Sequence, residues 1–309
     1  MSSKSSVITG LMLGIACGVV FGTFVLGPNL PGGSNQENAD AVALLDKARE
    51  DADINKAQAK TVDKYIASIA ESAVAGRLVD RSVLVISTAD ASNEDLEHVD
   101  WLLRHAGAID AGVVKLEKKF VKQDAADALK RIVTDTLPAG AKLSEGTLDP
   151  GMHTGEALGF AIGEVDGQPL ASVEDRKAFL DALQNAGFIS FEEGTIQPAQ
   201  GVLLVTGDDD GSKDSFGPMT LASFAQGIDA QGAGVVVAGR IHTAADSGVI
   251  GRIREKPEGR DNVSTVDSVN QSYGRMAVIL AMLEQLQGSS GAYGAAKDTD
   301  GAAPPLPPR

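Results

Sequence analysis

Cysteine is almost absent from this sequence. The single one, Cys17, lies in an apolar N-terminal run, so everything after it is free of thiols. No disulfide, zinc–thiolate centre or cysteine nucleophile can form in that part. Aromatic residues are also few, 9 Phe, 3 Tyr and 1 Trp against 35 Gly, the mark of a lightly aromatic, turn-rich α/β chain. Basic residues are outnumbered: 27 Lys and Arg face 42 Asp and Glu, a formal net charge of −15. A surface of that sign repels phosphate backbones, which argues against nucleic acid as a partner. The 309 residues suffice for one sizeable domain with appendages.

One stretch lacks charge altogether. Residues 7–26, VITGLMLGIACGVVFGTFVL, carry no ionisable side chain other than the Cys17 thiol. About 20 residues of helix cover roughly 30 Å, the hydrocarbon thickness of a bilayer. A secretory signal would have a shorter apolar region and an Ala-x-Ala site, and here the run ends in Gly27-Pro28-Asn29. A lipoprotein signal at Cys17 lacks the usual Leu before it, and apolar residues continue beyond it. The expectation is a retained transmembrane helix over residues 7–27. Lys4 places the tail 1–6 in the cytoplasm, while Glu37 and Asp40, the first charges beyond the span, are acidic. The rest of the chain is then extracytoplasmic, anchored in the plasma membrane by one pass. Gly10, Gly14, Gly18 and Gly22 recur every four residues and stack on one helix face. Such a face lets a second backbone approach closely, either from another copy or from a different membrane helix.

After a Pro/Gly/Ser/Asn linker, 28–35, the chain from 36 to about 75 contains neither Pro nor Gly. Leu45, Ala48, Ala52, Asn55, Ala59, Val62, Ile66, Ile69 and Ala73 alternate spacings of three and four. That pattern predicts a helical stalk over 36–76 that pairs as a coiled coil, with Asn55 setting register. The alternative is a helix lying on its own globular domain. Paired through stalk and membrane helix, the chain would be a homodimer.

From Ser82 the period changes. Apolar runs at 82–87, 111–117, 188–192, 201–207, 234–240 and 263–267 predict strands, several of them buried on both faces. Helical stretches lie between or after them at 93–105, 124–135, 152–163, 173–186, 218–231, 246–254 and 272–287. Alternation of this kind predicts parallel βαβ units in one doubly wound, Rossmann-like α/β domain over 77–287, with a division into two pseudo-halves near 140–151. The Gly/Ser/Ala/Pro-rich remainder, 288–309, is expected to be disordered.

Residues for chemistry are scattered. The first strand runs into Ser87-Thr88-Ala89-Asp90 in place of a Gly-x-Gly-x-x-Gly turn, and there is no Gly-Lys-Thr phosphate loop, so no nucleotide cofactor is expected. Asp208-Asp209-Asp210-Gly211 follows a strand; such a triplet can ligate Mg²⁺ or Ca²⁺ or form a solvated turn. His98 and His105 are seven residues apart on one helix face, roughly 10 Å from one another, and His242 stands alone. Met152-His153 is a soft Cu(I) pair of one residue each. No catalytic, cofactor or metal residue emerges, and the expectation is a protein that is not an enzyme.

The C-terminal segment DNVSTVDSVNQSYGRMAVILAMLEQLQGSSGAYG, with Ser264, Thr265 and Asp267 in its turn and the pair Gly274-Arg275, resembles the actinobacterial MctB family. So does the order of apolar span, helical stretch and α/β domain. Within the family the likeness points to SteB-like corynebacterial members. The resemblance implies one of two roles. One is copper transport and copper homeostasis in the cell envelope. The other is an envelope scaffold or regulator that couples a SteA-like partner to septal peptidoglycan hydrolysis and cell division. A channel needs a closed barrel or a polar-lined bundle, and tight copper binding needs Cys, Met or His clusters, so the residues favour the regulator. In the family segment, Ser264, Thr265 and Asp267 are expected to cap the last helix, and Arg275 to hold a carboxylate in a bidentate pair.

Overall fold

The computed structural model describes residues 35–306 except 166, with side chains from residue 42. The expected membrane helix (7–27), its glycines Gly10, Gly14, Gly18 and Gly22, the tail 1–6 and most of the linker lie outside the described residues. Among the described residues no helix is long and apolar enough to cross a membrane.

Helix α1, Asn35–Val74, runs for 40 residues, as expected of a segment without Pro or Gly. The chain divides into two units, residues 1–62 and 63–309. In the first, Leu45 is partly buried and Ala48, Ala52, Asn55, Ala59 and Val62 are exposed. In the second, the last turns of α1 belong to the globular domain. Ala70 and Val74 are buried in its core, and the Asp63 carboxylate accepts the Ser272 backbone N–H at 2.6 Å. On these turns Ile66 and Ala73 are partly buried, whereas Tyr65 and Ile69 are 68% and 41% exposed.

The domain alternates strands and helices. In chain order these are β1 (Ser82–Ser87), α2 (Asn93–His105), β2 (Ile109–Leu116), α3 (Ala126–Asp135), α4 (Pro150–Ile162), the hairpin strands β3 (Glu164–Val165) and β4 (Gln168–Pro169), and α5 (Val173–Asn185). Then come β5 (Ile189–Phe191), β6 (Gly201–Val205), α6 (Phe216–Asp229), β7 (Gly234–Ala238), α7 (Val249–Glu255), α8 (Pro257–Asn262), β8 (Ser264–Val266), α9 (Ser272–Gln285) and β9 (Ala292–Tyr293). Seven strands form one sheet in the order β5-β2-β1-β6-β7-β8-β9. All pairings are parallel except β2–β5, which is antiparallel. The domain is therefore α/β with a mixed, parallel-dominated sheet of Rossmann-like type, and the expected all-parallel sheet is corrected at this edge. After α5 the chain turns back at Gly187 (φ +74°) and enters β5 beside β2 in the opposite direction.

Alternate strand residues point to opposite faces. Leu84, Ile86, Val114, Leu116, Val202, Leu204, Val235 and Val237 face one core, with α3 to α7. Val83, Leu203, Val205, Val236, Ala238 and Val266 face a second, covered by α1, α2 and α9. Because β1 and β6 pair directly, the two pseudo-halves expected near 140–151 are one sheet. Helices α4 and α6 pack so closely that a Cβ on Gly155 or Gly227 would strike backbone of the other helix.

The disordered tail is also corrected. Ala292–Tyr293 adds a seventh strand beside β8. Gly294 N donates to Gly301 O at 3.0 Å, and Asp300 Oδ2 accepts the Ala292 N–H at 2.9 Å. Small residues there allow close approach, so a composition that looks like linker packs as a lid on the sheet edge.

Candidate functional site

In open α/β sheets the ligand crevice lies beyond the carboxyl ends of the strands, where the winding direction reverses. Here the reversal falls between β1 and β6, since β1 leads to β2 on one side while β6, β7 and β8 extend the other. A cleft of about 240 Å³ opens at that place. Leu116, Val121, Pro218, Leu221 and Val249 give it apolar walls, and Thr88, Asp90, Lys118, Lys122, Thr206 and Asp209 bring polar groups to it.

Each polar group is set by the end of a strand. Thr88 follows β1; its hydroxyl donates to Asp90 Oδ1 at 2.6 Å. Gly207, after β6, packs against the Asp90 carboxylate, a place where a Cβ would not fit. Thr206 is 3% exposed, and its methyl lies against Gly239. Lys118 and Lys122 arrive on the 3-10 turns that follow β2.

Beside the cleft the acidic triplet is folded on itself. Asp209 Oδ1 accepts the Gly211 N–H at 3.0 Å, and Asp210 Oδ1 accepts the Ser212 N–H at 2.9 Å and its hydroxyl at 2.7 Å. The Ser212 bonds hold the Asp210 carboxyl below the usual range. His242 Nδ1 lies 2.8 Å from Asp208 Oδ2, which raises the imidazole pKa above its ordinary value. Arg240 donates through Nε to the buried carboxylate of Asp95 at 2.8 Å, and that bond raises the guanidinium pKa.

The other histidines are committed elsewhere. His98 and His105 bond the carbonyls of Glu94 and Trp101, each at 2.7 Å. The buried His153 bonds Ser144 O at 3.0 Å, with Glu156 holding the Ser144 hydroxyl. Among the described residues no three His, Cys, Asp or Glu side chains are grouped to hold a metal ion.

The C-terminal motif comes together around a residue that sequence reasoning missed, Arg254. Its Nη1 donates to Asp267 Oδ2 at 2.8 Å, its Nε to Thr265 Oγ1 at 2.8 Å and its Nη2 to Tyr293 O at 2.9 Å. Asp267 Oδ1 also accepts the Ala295 N–H at 2.7 Å. The helix-capping expectation is thereby corrected: Ser264 and Thr265 lie in β8, Asp267 faces inward, and the first N–H of α9 is taken by Asp63, not by these residues. Ser264 Oγ accepts from Gln285 Nε2 and from the Gly291 N–H, at 3.0 and 3.2 Å. Among the described residues Arg275 holds no carboxylate; it donates to the carbonyls of Val269 and Asn270, both at 3.0 Å. Gly274 is required because its backbone passes against the Ser268 carbonyl. The only signal of Arg254 in the sequence was its place beside Ile253 in a short stretch that mixes apolar and basic residues, Val249-Ile250-Gly251-Arg252-Ile253-Arg254.

The family model described as "Copper transport outer membrane protein, MctB" matches residues 6–304. The chain is 28% identical over 292 residues to proteins named Copper transporter MctB from Mycobacterium tuberculosis and Mycobacterium bovis, covering 93% of both chains. It is 30% identical over 225 residues to the protein of that name from Mycobacterium leprae, covering 69% of this chain and 70% of that one. With a match that takes in the long helix, the whole sheet and the C-terminal motif, this chain belongs to the MctB family.

Proposed function

We propose that this MctB-family chain is a membrane-anchored envelope scaffold or regulator that works by recognition, not catalysis. In this reading the residues 7–27 anchor it in the plasma membrane. It pairs with a second copy and couples a SteA-like partner to septal peptidoglycan hydrolysis and cell division. The observation that carries the reading is the last turns of α1. They bury Ala70 and Val74 in the domain yet leave Tyr65 and Ile69 on the surface. Large apolar side chains of that exposure on a helix fit a protein–protein contact.

The test uses membranes and the full chain. In a Cys17→Ser background, a cysteine at Ala59 should cross-link to a second copy or to a partner. Tyr65→Asp with Ile69→Asp should abolish the adduct while the domain stays folded. No adduct of any kind with the unmodified face would end this reading.

A second reading, copper handling, is favoured by the names of the mycobacterial relatives. The pairing of His242 with Asp208 beside Asp209 and Asp210 is where copper would have to start in the described residues. Titration of the purified chain with Cu(I) and Cu(II) decides it: stoichiometric, tight binding lost in His242→Ala supports copper, and weak non-saturating binding removes it.

A further inference from the structure

On α5 a guanidinium is buried without a partner. Arg176 is 7% exposed, and its side chain makes no hydrogen bond or ion pair among the described residues. Its burial lowers the guanidinium pKa, and no neighbouring carboxylate counteracts that. Buried charges are normally paired, because leaving water is costly and only a close opposite charge offsets it. The nitrogens are not sealed, since the only sealed, unbonded side-chain atom among the described residues is Thr220 Oγ1. Arg176 lines a second cleft of about 240 Å³ together with Leu180, Phe191, Ile196 and Gln197.

The rim sets the charge that this cleft accepts. Lys177 is spent on two carboxylates, Asp181 Oδ2 at 2.8 Å and Glu193 Oε1 at 3.0 Å. Two acids against one lysine leave the mouth negative, on a chain that is already acidic. A dianion would be repelled there. A monoanion would still be held by the fork, which matches a carboxylate through two parallel N–H bonds. The walls are apolar, and the volume is below the ~300–1,000 Å³ of sites for drug-sized ligands.

We propose that this cleft binds a small organic monocarboxylate, with the carboxylate on the Arg176 fork and an apolar body against Leu180, Phe191 and Ile196. The site stands apart from the switch-point cleft and independently of the function proposed above. Benzoate is the probe, titrated calorimetrically into the detergent-purified full chain, with benzamide as the neutral shape and phenylphosphonate as the dianion. Saturable one-to-one binding of benzoate is expected, with both comparators at least tenfold weaker. Arg176→Met should weaken benzoate at least tenfold, and Arg176→Lys should do the same because it keeps the charge and loses the fork. Without ligand, Arg176→Met should melt higher than the parent, since an unpaired buried charge has been replaced by an apolar chain of similar length. Absence of saturable benzoate binding to the parent chain, or unchanged affinity in Arg176→Met, overturns the proposal. So does a lower melting temperature in Arg176→Met, which would make the guanidinium a structural element.

Discussion

Arg254 and Asp267 meet at 2.8 Å in the interior, their side chains 1% and 0% exposed, where α7 passes the carboxyl end of β8. A buried pair of this kind is weak evidence for net stability, but removing one partner strands the other charge. Asp267→Ala should therefore cost about 3–5 kcal/mol. Asp267→Asn keeps an oxygen for the Ala295 N–H and should cost less. Equilibrium denaturation of the two variants checks the order. Equal, small losses would mean that Arg254 finds a substitute partner in Asp298, 3.2 Å away.

Ending the chain after Gly288 should destabilise the domain even though the removed segment is rich in small residues. It takes away β9, the Tyr293 carbonyl that receives Arg254 and the N–H groups that hold Asp267. Hydrogen exchange should show faster exchange through β8, the strand that loses its neighbour. Unchanged protection in Ser264–Val266 would contradict the role assigned to this segment.

Asp229, at the end of α6, has its carboxyl pushed up to about 6 by burial. A pKa raised in the folded state means the folded form holds the proton more tightly. The contribution is complete below about pH 4 and is lost as pH rises through about 6. Asp229→Asn has no such proton, so its stability relative to the parent should rise between pH 4 and 7 by on the order of 2 kcal/mol. Paired melts at several pH values measure this, and the comparison cancels Asp210 and Asp300, whose carboxyls are held low. A flat difference would show that Asp229 is well hydrated.

His242 should titrate above an ordinary histidine because Asp208 bonds its ring. Asp208→Asn should bring it down, read from the imidazole proton shifts of the two proteins. Identical titration curves would place the ring away from Asp208 in solution.

Gly155→Ala should cost about 1–3 kcal/mol by overpacking, because the new methyl meets the Phe224 carbonyl on α6. The neighbouring exposed Gly146 has open space around it, and Gly146→Ala should be neutral or slightly stabilising. Thermal melts separate the two.

Much of the fold was legible because period and punctuation agreed. SVLVIS reads as a buried strand and is one, and Asn93 to His105 is helical with Glu94 and Asp95 in the first turn and Arg104 and His105 in the last. The short strand β8 was legible, but its partners were not. Ser264, Thr265 and Asp267 have the chemistry of a helix cap, and only the three-dimensional arrival of Arg254 from α7 turns them into an inward-facing knot. Composition misled at the C-terminus, since glycine and alanine suit a linker and an edge strand packed without side-chain clashes equally well. The two clefts were illegible, because strand order brings Thr88, Lys118 and Thr206 together, and the packing of α5 on β5 brings Arg176 to Phe191.

The strand at Ala292–Tyr293 has a consequence in time as well as in space. It lies far along the chain from β1, yet it closes the sheet against β8, and the Tyr293 carbonyl receives Arg254. At the other end, Asp63 of α1 bonds the first N–H of α9. Both termini of the domain must be present before its interior is sealed. Contacts so distant in sequence slow folding, and a chain still being made cannot complete them. The architecture thus favours a domain whose interior is sealed only once the stretch from Asp63 to Tyr293 is present.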